Sequence, residues 1–241
     1  MKLVHTLITA VVALVVLPHV GPVADPPVPA DNLSTVLAEL DTASQGFTNA
    51  RADFVWDYYE AVVKDTSTQN GTIYFQHAGA TTQMGAVVMD ARSKGPDKVL
   101  EYKGGLLRMF DPHDNQIRLI KAGANQAQYE SFLTLGFGGS GKALAQAWTV
   151  TDQGSETLND SGQPVKTEKL DLVSKDQGVR NMFTHVTIWV DTTRGVSLKQ
   201  VFETPSHDRR TATYSHIKLN GKVDTSAFAI KPNSKTTTVG P

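Results

Sequence analysis

Apolar residues change their spacing once near the start of the chain, and the change divides a helix from a long run of strands. Leu33, Val36, Leu37 and Leu40 recur at intervals of three and four behind Asp31 and Asn32, either of which can cap a helix. That helix is expected to stop near Gly46-Phe47. From there the period is two. Ala52, Phe54, Trp56, Tyr58 and Val62 fall on one side of a strand, with Glu60 interrupting. Asp53, Asp57 and Ala61 fall on the other, where Val55, Tyr59 and Val63 keep it from being fully polar. Gln69-Asn70-Gly71 predicts a turn, and Thr72 to Gln76 begins the returning strand. Further strands are expected near 83–90, 97–103, 105–111, 115–121, 148–156, 165–174, 181–191, 196–204 and 209–219. Turn-forming runs such as Asp111-Pro112-His113-Asp114-Asn115, Asn159 to Gly162 and Lys175 to Gly178 separate most of them. Only 125–147 reads as helical after the first helix. A sheet of that size must curl, and its concave face needs covering. The pattern therefore predicts a mainly-β (α+β) fold: an open, curved antiparallel half-barrel of about ten or eleven strands with a helical lid.

The start of the chain changes where such a domain would work. Met1-Lys2, the apolar run Leu7 to Leu17 and then Pro18 have the anatomy of a secretory signal peptide, assigned here to residues 1–24. Retention of the leader as an uncleaved anchor is the alternative. Residues 25–31, from Asp25-Pro26-Pro27, read as a Pro-rich spacer, and 32–241 as the domain. Either way the domain is expected to be exported, with a periplasmic location. The chain has no cysteine. Disulfides, thiolate metal sites and a lipid-anchored cysteine are thereby excluded, and folding rests on core burial. A formal charge of −1 gives no sign of a nucleic-acid partner.

Candidate chemistry is sparse. Gly136-Phe137-Gly138-Gly139-Ser140-Gly141-Lys142 has the spacing of a phosphate-binding loop, but Ala143 stands where the magnesium-holding hydroxyl must be. Export makes a nucleotide less expected still. Asp111, His113 and Asp114 share one tight turn, a solvated turn more readily than a metal site. No nucleophile elbow or zinc-protease motif occurs. No cofactor and no catalytic residue are expected. The informative feature is the apolar excess on one face of the predicted sheet. An ordinary filled core explains it, and so does a cavity for acyl chains, since burying each methylene is worth about 0.8 kcal/mol.

Three stretches then carry a resemblance. The first is the opening helix followed by Phe54 to Val63 and by Gly71-Thr72-Ile73-Tyr74-Phe75-Gln76-His77. The second is Gly104-Gly105-Leu106-Leu107-Arg108-Met109-Phe110-Asp111-Pro112. The third runs from Gly195 through Tyr214 to Asn220, then Val223-Asp224, Phe228 and Pro232. In order and spacing the chain resembles the LolA family of periplasmic lipoprotein carriers and outer-membrane lipoprotein-sorting proteins. The resemblance implies an open, hydrophobically lined barrel closed by helices, binding acylated lipoprotein or lipid cargo, and a monomer. It implies as partners an inner-membrane lipoprotein-releasing transporter and an outer-membrane acceptor. Relatives that sense lipids or mislocalised lipoproteins as regulators supply the alternative function. Phe54, Trp56, Tyr58, Ile73, Phe75, Leu107 and Met109 are the expected cavity lining. Where the family has an Arg-Pro pair, the arginine holding the lid closed, this chain has His77-Ala78. His77 either takes over the lid contact or is an ordinary exposed strand end. Gly138 and Gly139 are the expected hinge.

Overall fold

The computed structural model describes residues 32–78, 81–90, 95–123 and 126–240. The expected signal peptide and spacer lie outside them. Helix α1 spans Leu33–Gln45. Asn32 holds its N-cap position, yet its side chain makes no capping bond; its carbonyl accepts from Val36 N–H at 3.0 Å. Val36 and Leu40, one turn apart, are the residues it buries.

Twelve strands follow among the described residues: β1 Asn49–Glu60, β2 Asp65–Ala78, β3 Thr81–Asp90, β4 Pro96–Lys103, β5 Leu106–Asp111, β6 Gln116–Lys121, β7 Trp148–Asp160, β8 Gln163–Ser174, β9 His185–Asp191, β10 Val196–Glu203, β11 Arg209–Leu219 and β12 Thr237–Val239. They form one sheet in the order β12-β6-β5-β4-β3-β2-β1-β11-β10-β9-β8-β7. Every pairing is antiparallel except that of β12 with β6. Two meanders, β1 to β6 and β7 to β11, are joined where β1 meets β11. This order places β6 and β7 in opposite arms of the sheet. The chain between them must cross its face, and α2 (Gln126–Leu133) and α3 (Gly141–Ala147) lie on that crossing. The helical cover is thus a consequence of strand order.

Two expected turns are placed differently. The β1–β2 hairpin turns at Ala61–Lys64, where Val62 and Val63 stand 89% and 64% exposed. Val62 therefore does not share the strand face of Ala52 and Phe54. Asn70-Gly71 lies inside β2, paired with Val55 and Phe54. Its glycine answers to packing: a Cβ there would come 2.7 Å from Cζ of the Phe54 ring and 2.0 Å from the Val87 carbonyl oxygen. At Lys175 to Gly178, the Asp176 side chain accepts from Val179 N–H and starts α4 (Gln177–Met182), so β9 begins at His185 and not at 181.

The face away from the helices is closed by the C-terminal segment. Asp224 caps a 3-10 turn at Thr225–Phe228. Phe228 meets the Tyr74 ring edge-on at 4.8 Å, and Ile230 packs with Val99 and Ile117. Burying each such side chain stabilises by about 1.5–3 kcal/mol.

Candidate functional site

The helix-covered face carries two apolar clusters. One gathers Ala50, Ala52 and Phe54 of β1 with Ile73, Phe75, Met84, Leu107 and Tyr214. The other sets Val36 and Leu40 of α1 against Leu170, Leu172, Val186 and Ile188 of β8 and β9. Of the expected lining residues, Phe54, Ile73, Phe75 and Leu107 are buried in the first cluster, and Trp56 and Met109 pack against it. Phe54 and Trp56 stack with centroids 4.3 Å apart. Tyr58 stands apart toward the strand end, its hydroxyl 3.5 Å from Asp208 and the Arg210 guanidinium 5.3 Å from its ring.

What fills the first cluster from above is Phe137, the one aromatic residue of the glycine segment. It is fully buried, stacked on Phe75 at 4.3 Å and edge-on to Tyr214 at 4.8 Å. Its backbone is strapped to the start of β10: Ser197 N–H donates to the Gly136 carbonyl at 2.6 Å, and Gly138 N–H to that of Gly195 at 2.9 Å. Beneath the strap, Gln200 donates to the Leu135 carbonyl and accepts from the Tyr214 hydroxyl at 3.2 Å. Burial pushes the Tyr214 phenol far above its ordinary range, so it serves as a neutral hydrogen-bonding group.

A cavity of about 460 Å³ lies where the two clusters meet. Leu40, Phe47, Leu135, Ile188 and Val190 give it apolar walls, while His77, Thr82, Glu130 and Thr134 supply polar groups. Gly138 and Gly139 border it, together with His77. The seven expected lining residues do not: six floor the adjacent cluster, and Tyr58 lies beyond it. A second hollow, of about 570 Å³, is rimmed by Glu39, Thr42, Thr192, Arg194 and Asn220 and is the more polar of the two in its side chains.

His77 is not an exposed strand end. Its ring meets that of Phe47 at 5.5 Å, and its Nε2 is buried without a hydrogen-bond partner among the described residues. Burial lowers its pKa below the ordinary value, and the nearby Glu130 offsets this only in part, so the imidazole is neutral at pH 7. Glu130 belongs to the cover, in α2, and accepts from the Tyr102 hydroxyl of β4 at 2.8 Å. Cover and sheet therefore meet beside His77. Sequence reasoning missed Phe47, Glu130, Phe137 and Gln200. Phe137 alone left a signal, as a large apolar residue isolated among glycines.

The phosphate-loop spacing has another occupant. Ser140 caps α3 by accepting from Ala143 N–H at 3.1 Å, and Asp41 of α1 accepts from Lys142 N–H at 2.9 Å. A carboxylate of the chain itself sits where an anion would bind. Asp111 is likewise used locally, accepting from the N–H groups of His113 and Asp114.

No family model and no curated protein matches the sequence. Solved structures do match. An uncharacterized conserved protein from Thermus thermophilus is 9% identical at a TM-score of 0.52, over 86% of this chain and 97% of its own. MucB is 12% identical at a TM-score of 0.51 over 84% of this chain, which spans 64% of the MucB chain. A LolA superfamily protein from Nitrosomonas europaea is 12% identical at a TM-score of 0.40, over 82% of this chain and 97% of its own. At these identities the likeness is one of fold alone, an open, curved, mainly antiparallel sheet with few helices.

Proposed function

We propose that the chain is an exported carrier that encloses acyl chains of a lipoprotein or lipid between sheet and helical cover, and moves them from the inner to the outer membrane. The observation that carries the reading is the 460 Å³ cavity at the junction of two apolar clusters, bordered by Phe47 of the larger one and by Gly136 and Gly138 on either side of the buried Phe137. A carrier needs apolar surface that can be uncovered, and a cover held by few contacts. The insert meets both needs: two short helices joined through glycines, strapped to β10 by two backbone bonds and latched to β4 through Glu130 and Tyr102. In this reading Phe54, Trp56, Ile73, Phe75, Leu107 and Met109 are the surface that acyl chains reach once Phe137 withdraws. Tyr58 marks the outer end, His77 and Glu130 mark the cover contact, and Gly139 is the pivot. Partners follow the resemblance: a lipoprotein-releasing transporter at the inner membrane and an acceptor at the outer one.

The test is native mass spectrometry of the mature chain purified from the exported fraction, with solvent extraction of what it holds. A bound acyl lipid or lipoprotein is expected. A chain that comes out empty and also refuses a fluorescent fatty-acyl probe sinks the carrier reading in favour of a regulatory binding module of the same fold.

A further inference from the structure

We infer that the cavity beside His77 receives the head of the acyl ligand, and that this head is uncharged and hydroxyl-bearing, as in a glycerol ester, and not a carboxylate or phosphate. The inference rests on the carrier reading and adds the class of cargo to it.

Among the described residues that line the cavity, Glu130 supplies the carboxyl group and His77 the imidazole, whose pKa burial lowers. No lysine or arginine is among them. An anionic head placed there would face a carboxylate in an environment walled by Leu40, Phe47 and Leu135, where like charges repel far more than in water. An uncharged head meets the opposite situation. Glu130 receives Tyr102 and Gln126 on its Oε1, leaving acceptor capacity on the carboxylate for a ligand hydroxyl. His77 Nε2 has no partner among the described residues, and a buried polar nitrogen gains from any hydroxyl brought within reach. Thr82, 7% exposed, adds another hydroxyl to the same wall. A volume of about 460 Å³ suits one head with its first methylenes, and further chain would run on toward the Phe137 cluster.

The experiment measures displacement of the apolar fluorophore N-phenyl-1-naphthylamine from the mature chain at pH 8 by monooleoylglycerol and by oleate, which share one chain and differ in the head. The ester is expected to compete at least about tenfold more tightly than ionised oleate. Glu130→Gln, which keeps an acceptor oxygen and removes the charge, is expected to bring oleate within about threefold of the ester. His77→Phe keeps an aromatic ring beside Phe47 and is expected to weaken the ester about fivefold. Equal competition by oleate and ester on the unmodified chain overturns the inference while leaving the carrier standing, and that comparison holds even where a variant fails to fold. A Glu130→Gln chain that folds but keeps the discrimination overturns it as well. A chain that does not take up the fluorophore removes the carrier reading and this inference together.

Discussion

Gly138 and Gly139 are neighbours that answer to different constraints. Gly138 has φ +73°, and a Cβ on it would fall 2.2 Å from the Phe47 ring. Its backbone must enter the left-handed region while passing under an aromatic wall of the cavity. Gly139 has neither restriction: its φ is ordinary and nothing lies within 4 Å of its missing side chain. Gly138→Ala is therefore expected to cost about 2 kcal/mol or more of stability, and Gly139→Ala less than about 0.5 kcal/mol. Chemical denaturation of the two variants checks both values. Equal losses would show that the segment yields as a unit, with no division between anchor and pivot. A glycine run in a sequence announces a loop; which glycine is held and which is free depends on Phe47, some ninety residues earlier in the chain.

The β1–β2 and β10–β11 hairpins are tied at their tips by one carboxylate. Asp208 accepts from Ala61 N–H at 2.8 Å and from the Ser206 hydroxyl at 2.7 Å. The bond from Ala61, then that from Ser206, holds its pKa below the ordinary carboxylate value. A depressed folded pKa means that stabilisation is complete above the unfolded value of about 3.9 and is lost as pH falls through the lower folded value. Thermal melts should show Asp208→Asn less stable than the parent at pH 7, with the gap closing below about pH 4. A gap that stays constant across that range would assign the tie to shape and not to charge. Such a tie is invisible in the sequence, where His207-Asp208 reads only as a turn. The strands themselves were legible, because period-two burial in β1 and β8 is written residue by residue. Asn70-Gly71 misled because the same dipeptide serves a hairpin or a close packing approach, and only the Phe54 ring decides between them. The C-terminal clasp of Phe228 and Ile230 was unreadable as such: its partners Tyr74 and Val99 are brought to it by the sheet order.

Strand order makes the crossing insert compulsory, and Phe137, the aromatic residue of its glycine segment, fills the first apolar cluster from above. This sets up a contrast between two demands on the same side chain. In a core that only stabilises, Phe137→Ala leaves a hole against Phe75 and Tyr214 and costs about 3–5 kcal/mol. In a carrier the same change also removes what cargo must displace, and opens a hole between Gly136 and Gly138, which border the 460 Å³ cavity. The expected result combines both: Phe137→Ala melts lower than the parent when empty, takes up an apolar probe more tightly, and recovers stability as ligand is added. Ligand at a hundredfold excess over its Kd returns about 2.7 kcal/mol to a folded state that alone binds it. Melting curves with and without monooleoylglycerol measure the recovery directly. A variant that loses stability and regains none would mean that Phe137 is core alone, and that whatever this chain binds does not pass beneath the glycine segment.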